Sequence, residues 1–465
     1  MRHVHFIGIG GYSMSGLALV LHRQGLVVTG SDLSPSSRTE RLRREGVTVF
    51  SDHRAEHLAG ADTVVFNSDV PADNPERVEA VRRGLTLLHR SELLAQVLAP
   101  YRAVTVSGTH GKTTTTTMIG MILAECGFDP LVLIGGESPY FGGNVRMGQG
   151  SWAVAEADES DGSFLRYRPE VAVATNVEPE HLEHYAYSFD RLADAFSAYL
   201  AQVPSQGLRV WCADDPTLAR IGVELGPPGV GYGFAAQAAV RAEVVAQDQG
   251  GTRFAVFVEG VHQTDVHLPV PGRHNVANAL AAMVACHHLG VSWDKAAEVL
   301  ERYQSVKRRF QRLFEGEVLV VDDYAHHPTE IRATLKAARQ VTRGRLLAIF
   351  QPQRFVRTQN LWDQFVGAFD EADAVYLTEI YAPAGERPLP GISAERLADA
   401  IRRGHPGPVY YTADMMALVP QVLRDLQPRD TVLTMGAGNI FRVAEALSER
   451  LRQGSAFGLR RELGL

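Results

Sequence analysis

Gly108, Gly111, Lys112, Thr113 and Thr114 stand in the run Ser107-Gly108-Thr109-His110-Gly111-Lys112-Thr113-Thr114. That order suits phosphate binding. Glycines let backbone N–H groups close on anionic oxygens, and a helix opening at the lysine adds its positive end. Lys112 can reach β- and γ-phosphates, and the Thr113 hydroxyl can sit on a magnesium ion. The spacing is a shortened Gly-x-x-Gly-Lys-Thr; the usual longer loop wants glycine where Val106 stands. Thr109, His110 and Thr114 complete this candidate ATP-binding loop.

Two further runs carry chemistry. Glu156-Ala157-Asp158-Glu159-Ser160-Asp161 follows the apolar Trp152 to Ala155. Hard cations take oxygen donors, and Glu156 is the first one at the end of that strand; an acidic surface loop is the other reading. Asn176, Glu180 and His181 follow the apolar Val171 to Ala174. Open α/β sheets bind ligands at such strand ends, which turns His181 from a structural histidine toward metal or phosphate contact. Near the N-terminus, Gly8-Ile9-Gly10-Gly11 ends a strand and Asp32 ends the next. This is a nucleotide-binding outline with Ser13 where a dinucleotide fingerprint wants its third glycine. A nicotinamide enzyme built on it would leave Lys112 unexplained.

Positioning these loops requires strands alternating with helices, hence parallel α/β sheets. Expected strands run from His3 to Ile9, Val27 to Gly30, Val318 to Val321, Leu346 to Phe350, Ala374 to Tyr376 and Thr431 to Leu433. Expected helices run from Met14 to Gln24, Thr113 to Cys126, Ala277 to Leu289 and Ser292 to Tyr303. Boundaries fall near Ala99-Pro100 and between Arg308 and Leu313. A length of 465 residues suits about three domains. The net charge of −7 gives no support for a nucleic-acid partner. Cys126, Cys212 and Cys286 lie far apart, which argues against a disulfide framework or a CxxC metal site. Met1 to Phe6 runs straight into a strand without a signal-peptide pattern, and no apolar run is long enough to span a membrane. A cytoplasmic protein with no membrane partner is the expectation. The tail from Arg450 to Arg461 reads as a basic, solvated end.

Taken together, several blocks resemble the Mur ligases of peptidoglycan synthesis. They are His5 to Gly11 with Met14-Ser15-Gly16, Gly108 to Thr115, Glu156 to Leu165, and Thr175 to His181. Downstream come Gly272 to Ala279, Arg308 to Gln311, Asp322 to Glu330, and Gln351 to Thr358. The resemblance spans nearly the whole chain and is closest to the branch that adds L-alanine. It implies a Rossmann-like first domain (1–99) for the UDP-sugar, a central P-loop ATPase-type domain (100–310), and a Rossmann-like closing domain (311–465) for the amino acid. It implies ATP-dependent joining of L-alanine to the lactyl carboxylate of UDP-N-acetylmuramate, with Mg2+, through an acyl phosphate. A recycling ligase that adds a preformed peptide to the same sugar nucleotide is the alternative.

By resemblance, Lys112 falls on the ATP phosphates, and Thr113, Glu156 and His181 near magnesium. His274, Asn275 and Arg309 fall on the nucleotide. Gly8, Gly10, Gly11, Ser15, Asp32 and Ser68 fall on the UDP-sugar. Asp323, Tyr324, His326, Arg354 and Arg357 fall on the face that orients the amino acid and the developing charge. The chain departs from the family pattern at Tyr12-Ser13, Asp69, Glu180, Ala325 and Gln353. A monomer or weak homodimer is expected.

Overall fold

A computed structural model describes residues 1–382 and 386–454, so the basic tail beyond 454 lies outside the described residues. The chain forms two compact units. The first contains Met1–Glu243, Phe254–Val266 and Ala277–Gln304; the second contains Val244–Arg253, His267–Val276 and Ser305–Leu465.

The first unit opens with a five-stranded parallel sheet. Its order is Thr48–Phe50, Val27–Ser31, His3–Ile7, Thr63–Phe66, Thr86–His89. Val4, Phe6 and Ile7 are fully buried, as expected of a strand covered on both faces. The strand ends at Ile7 and the helix Tyr12–Arg23 starts two residues before the expected Met14. The intervening glycine turn is closed by the Gly11 N–H donating to Gly8 O at 3.2 Å. Strand order reverses at His3–Ile7, so the turn after it opens into the crevice where doubly wound sheets take ligands.

A ten-stranded sheet follows. Its order is Val261–Leu268, Gly251–Val258, Val240–Asp248, Gly229–Gly233, Leu208–Cys212, Val171–Ala174, Arg102–Ser107, Trp152–Glu156, Leu131–Ser138, Gly143–Arg146. Its middle is parallel, while the Leu131–Ser138 and Gly143–Arg146 pair at one edge is antiparallel. The strand Arg102–Ser107 lies between Val171–Ala174 and Trp152–Glu156. The three candidate loops therefore leave three adjacent parallel strands at the same edge. The helix Lys112–Glu125 is buried along almost its whole length, from Thr113 to Leu123. Two of its threonine hydroxyls find acceptors: Thr117 donates to Thr113 O at 2.7 Å, and Thr115 to Asn278 Oδ1 at 3.3 Å, while the buried Thr116 hydroxyl has no hydrogen-bond partner among the described residues.

The second unit holds a six-stranded sheet in the order Gln311–Glu315, Leu319–Asp323, Thr431–Met435, Leu346–Phe350, Ala374–Leu377, Val409–Tyr411. All pairs are parallel except the antiparallel edge strand Gln311–Glu315. One face packs on the helices Pro328–Val341 and Ala394–Gly404 through Ile331, Leu335, Leu397 and Ile401. The other packs on Leu418–Asp425 and Phe441–Gln453 through Val419, Val422, Val443 and Leu447. The helix expected from Ala277 begins at Arg273 and runs to His288. The Asn275 and Val276 N–H groups already donate to Gly272 O. Cys126, Cys212 and Cys286 are free thiols. No helix among the described residues is long and apolar enough to cross a membrane.

Candidate active site

The phosphate loop is shaped by its neighbours before any ligand enters. Gly108 has φ +138°, and a Cβ there would lie 2.0 Å from Thr175 Oγ1. Gly111 has φ +84°, and a Cβ there would lie 2.4 Å from Asn278 Oδ1. Both positions demand glycine by conformation and by space. The strand-end residues Thr175 and Asn176 clamp the loop. Thr175 Oγ1 donates to His110 O at 2.6 Å, Asn176 Oδ1 accepts from His110 N at 2.8 Å, and Asn176 O accepts from Thr109 N at 3.1 Å. Thr109 Oγ1 accepts from the Glu178 N–H at 2.9 Å. Gly111 caps the helix that Lys112 opens, so the helix N-terminus points into the loop, with Thr113 and Thr114 buried in its first turn.

Lys112 Nζ donates to both carboxylate oxygens of Glu159 at 2.9 Å and to Gly108 O at 2.6 Å. Burial favours its neutral amine, but Glu159, Asp158 and Glu156 outweigh it and raise its pKa. Asp158 is part-buried, with its side chain 34% exposed, and the desolvation favours its neutral acid. Lys112 and Arg90 prevail and hold the carboxyl at about 2. Glu156 ends the strand Trp152–Glu156 and accepts from the Gly135 N–H. His181 sits in the left-handed region (φ 57°) just before the turn Leu182–Tyr185, with Nδ1 3.8 Å from Glu183 Oε1. Glu156, Asp158 and Asp161 line the same cleft as Lys112. Among them Glu156 offers the oxygen donors that a hard divalent cation takes, while Asp158 is engaged by Arg90 and Asp161 by Ser68.

That cleft, about 420 Å³, also reaches the N-terminal glycine turn through Gly11, Tyr12 and Ser13. Of the expected UDP-sugar residues, Gly11 and Ser68 line it. Gly8, Gly10, Asp32 and Ser15 build the turn from behind. The Asp32 carboxylate accepts from the Gly10 N–H at 2.8 Å and the Ser34 N–H at 2.9 Å. Ser15 donates to Tyr12 O at 3.0 Å and accepts from Asn144. The Tyr12 ring lies under the Arg38 guanidinium, 4.0 Å from its centroid. Arg90 went unnoticed in the sequence. It spans the cleft, donating to Ser13 Oγ at 3.3 Å and to Asp158 Oδ2 at 3.2 Å. Its place at the end of the parallel strand Thr86–His89 was the available signal. Glu159, Tyr185 and Asn278 were likewise passed over, although each lies inside or beside a chemically suggestive run.

The second unit gathers another set. Asp323 ends the strand Leu319–Asp323 and accepts from Phe310 N at 2.6 Å and Ala325 N at 2.7 Å. Burial pushes its carboxyl up to about 6, against the pull of Arg309. The Arg308 and Arg309 guanidinium groups lie 5.2 and 5.0 Å from the Tyr324 ring centroid. His326 packs edge-on against that ring, with Nδ1 3.2 Å from Glu330 Oε2. Arg354, exposed and at φ 65°, precedes the short helix Phe355–Asn360, on which Arg357 Nη1 donates to Gln353 Oε1 at 3.0 Å. Asn275 is buried and donates to Pro271 O at 2.7 Å, while His274 beside it is exposed.

Family models match three consecutive stretches: "Mur ligase family, catalytic domain" over residues 3–102, "Mur ligase middle domain" over 106–286, and "Mur ligase, glutamate ligase domain" over 308–438. This chain belongs to the Mur ligase family. As a Mur ligase it is 49% identical to the UDP-N-acetylmuramate–L-alanine ligase of Symbiobacterium thermophilum, covering 97% of this chain and 95% of that one. The crystal structure of the UDP-N-acetylmuramate-alanine ligase MurC from Thermotoga maritima matches it with a TM-score of 0.85 at 30% identity. That match covers 97% of this chain and all of the other. A murein peptide ligase from Psychrobacter arcticus matches with a TM-score of 0.71 at 26% identity, covering 97% and 99%. The α/β Mur ligase architecture expected from the sequence is thus the one found.

Proposed function

We propose that this Mur ligase joins L-alanine to the lactyl carboxylate of UDP-N-acetylmuramate, using ATP, in peptidoglycan synthesis. The observation that carries this reading is the single cleft lined by both the Lys112 loop and the Gly11–Ser13 turn. A sugar nucleotide at the turn can bring its carboxylate to the γ-phosphate. The carboxylate attacks that phosphorus and ADP leaves, giving an acyl phosphate. The neutral amine of L-alanine then attacks the acyl carbon, phosphate leaves with the bonding pair, and the nitrogen gives up one proton to solvent as the amide forms.

Both steps concentrate negative charge on oxygens. Lys112 and the helix N-terminus it opens stabilise that charge at the transferring phosphate. Arg90, a planar fork in the cleft, suits the phosphate or carboxylate oxygens of the sugar nucleotide. Thr113, Glu156 and His181 would hold Mg2+, which supplies charge neutralisation to the transferring group. On the family resemblance, Asp323, Tyr324, His326, Arg354 and Arg357 are assigned to the amino acid, and His274, Asn275 and Arg309 to the nucleotide. We assign the UDP-sugar, ATP and amino acid to 1–99, 100–310 and 311–465, in a cytoplasmic enzyme that is a monomer or weak homodimer.

The test is phosphate release from ATP with magnesium, UDP-N-acetylmuramate and single amino acids. Release that needs both the sugar nucleotide and L-alanine, and is lost in Lys112→Ala, is the expected outcome. Release only with a tripeptide would move the assignment to the recycling ligase. The higher identity and TM-score of the alanine-adding relatives favour the first reading.

A further inference from the structure

Glu159 has no role in the scheme above, yet it holds the central lysine. The residue is 4% exposed, and it occupies Lys112 through both oxygens. An ammonium has three donors. Gly108 O at 2.6 Å and the two Glu159 oxygens at 2.9 Å are its close acceptors, with Thr109 O more distant at 3.5 Å. A phosphate therefore gains Lys112 by exchange with these acceptors, of which Glu159 alone carries a charge. The main chain of Glu159 is tied down independently. Its carbonyl accepts from the hydroxyl of Tyr185, a buried residue of the turn that follows His181. It also accepts from the Gly162 N–H at 3.0 Å. The backbone of Glu159 is thus fixed beside the loop, so its carboxylate stays within a side chain's reach of Lys112.

We infer that Glu159 is a positioning residue that stands in for the nucleotide phosphates. In the empty enzyme it keeps the Lys112 ammonium aimed across the loop. As products leave, it takes the ammonium back and so weakens the hold on ADP. This inference rests on the reading of the Lys112 loop as the ATP site.

The test is Glu159→Gln, which keeps the size and one acceptor but removes the competing charge. Fluorescent ADP is titrated into wild type and variant, and kcat and the KM for ATP are measured alongside. ADP should bind about tenfold more tightly to the variant, the scale of one hydrogen bond to a charged group. The KM for ATP should fall, and kcat should fall with it as release slows. Glu159→Asp, which restores the charge, should recover wild-type ADP affinity in large part. Weaker or unchanged ADP binding in Glu159→Gln would overturn the inference, because a merely structural residue loosens the loop. Tyr185→Phe supplies the comparison: it cuts the main-chain tie and leaves the charge, and should not tighten ADP.

If Glu159→Gln does not fold, the stability of Lys112→Met decides. Loss of the lysine strands a buried carboxylate, so Lys112→Met should unfold at lower urea than Lys112→Met/Glu159→Gln. The reverse order would overturn the pairing. Failure of wild type to bind fluorescent ADP would instead defeat the ATP-site reading itself.

Discussion

Gly108→Ala tests whether the shape of the phosphate loop resides in its contact with the neighbouring strand. The new methyl carbon would lie 2.0 Å from Thr175 Oγ1 and 3.1 Å from both Asn176 N and O. No rotamer relieves that, because Cβ position is fixed by the backbone. Thr175 must move, giving up the bond its one hydroxyl proton makes to His110 O and shares with Ser107 O at 3.2 Å. That bond is worth roughly 0.5–1.5 kcal/mol. An alanine at φ +138° adds strain on the order of 1–3 kcal/mol. The sum is about 3 kcal/mol, divided between global stability and loop shape. If half falls on the loop, nucleotide affinity drops about tenfold. Titration with fluorescent ATP reads the second share, and the urea midpoint reads the first. Gly108→Ala/Thr175→Ala removes the 2.0 Å contact and should regain part of both losses, while the backbone strain persists. Wild-type affinity and an unshifted midpoint in Gly108→Ala would refute the account.

Two further outcomes follow from the geometry. Arg90→Ala should raise the KM for UDP-N-acetylmuramate about tenfold or more and leave that for ATP nearly unchanged. Arg90→Lys should recover only part, because a point charge cannot replace the fork between Ser13 and Asp158; an equal rise in both KM values would argue against its assignment. Asp323 predicts a pH effect of defined sign. Burial raises its folded carboxyl to about 6, above the ordinary aspartate value of about 3.9, so the folded state holds the proton more tightly. The associated stability is present below about pH 4 and lost as pH rises to about 6, some 3 kcal/mol in all. Urea midpoints of wild type and Asp323→Asn, compared across that range, should converge or cross accordingly. A constant difference between them would contradict the shift.

The phosphate loop was legible because its parts are local. Strand, glycines, lysine and helix lie within a dozen residues, and their order alone implies the chemistry. The reasons for the glycines were not legible. Thr175 and Asn278 lie far along the chain; the sheet order brings Thr175 to Gly108, and the packing of the helix Arg273–His288 brings Asn278 to Gly111. Asp32 was expected on the UDP-sugar; the bonds its carboxylate accepts from the Gly10 and Ser34 N–H groups were not legible, since spacing does not show backbone contacts. Arg90 was missed because its one signal, a place at the end of the strand Thr86–His89, needs that short strand to be recognised first, and the early start of the helix at Arg273 depends on bonds to Gly272 O. The antiparallel edges at Gly143–Arg146 and Gln311–Glu315 were hidden too, since a strand's direction is set by its neighbour.

The clamp formed by Thr175, Asn176 and Asn278 has a genetic consequence. A screen for cells that survive only with raised ATP would collect substitutions at these three positions as readily as at Lys112. Read without the fold, such alleles would be mapped as nucleotide contacts, although each acts by releasing the loop from its mould. Conversely, compensating changes for a damaged glycine should arise at residue 175 or 278, more than sixty positions downstream, and should be specific to the glycine each one faces.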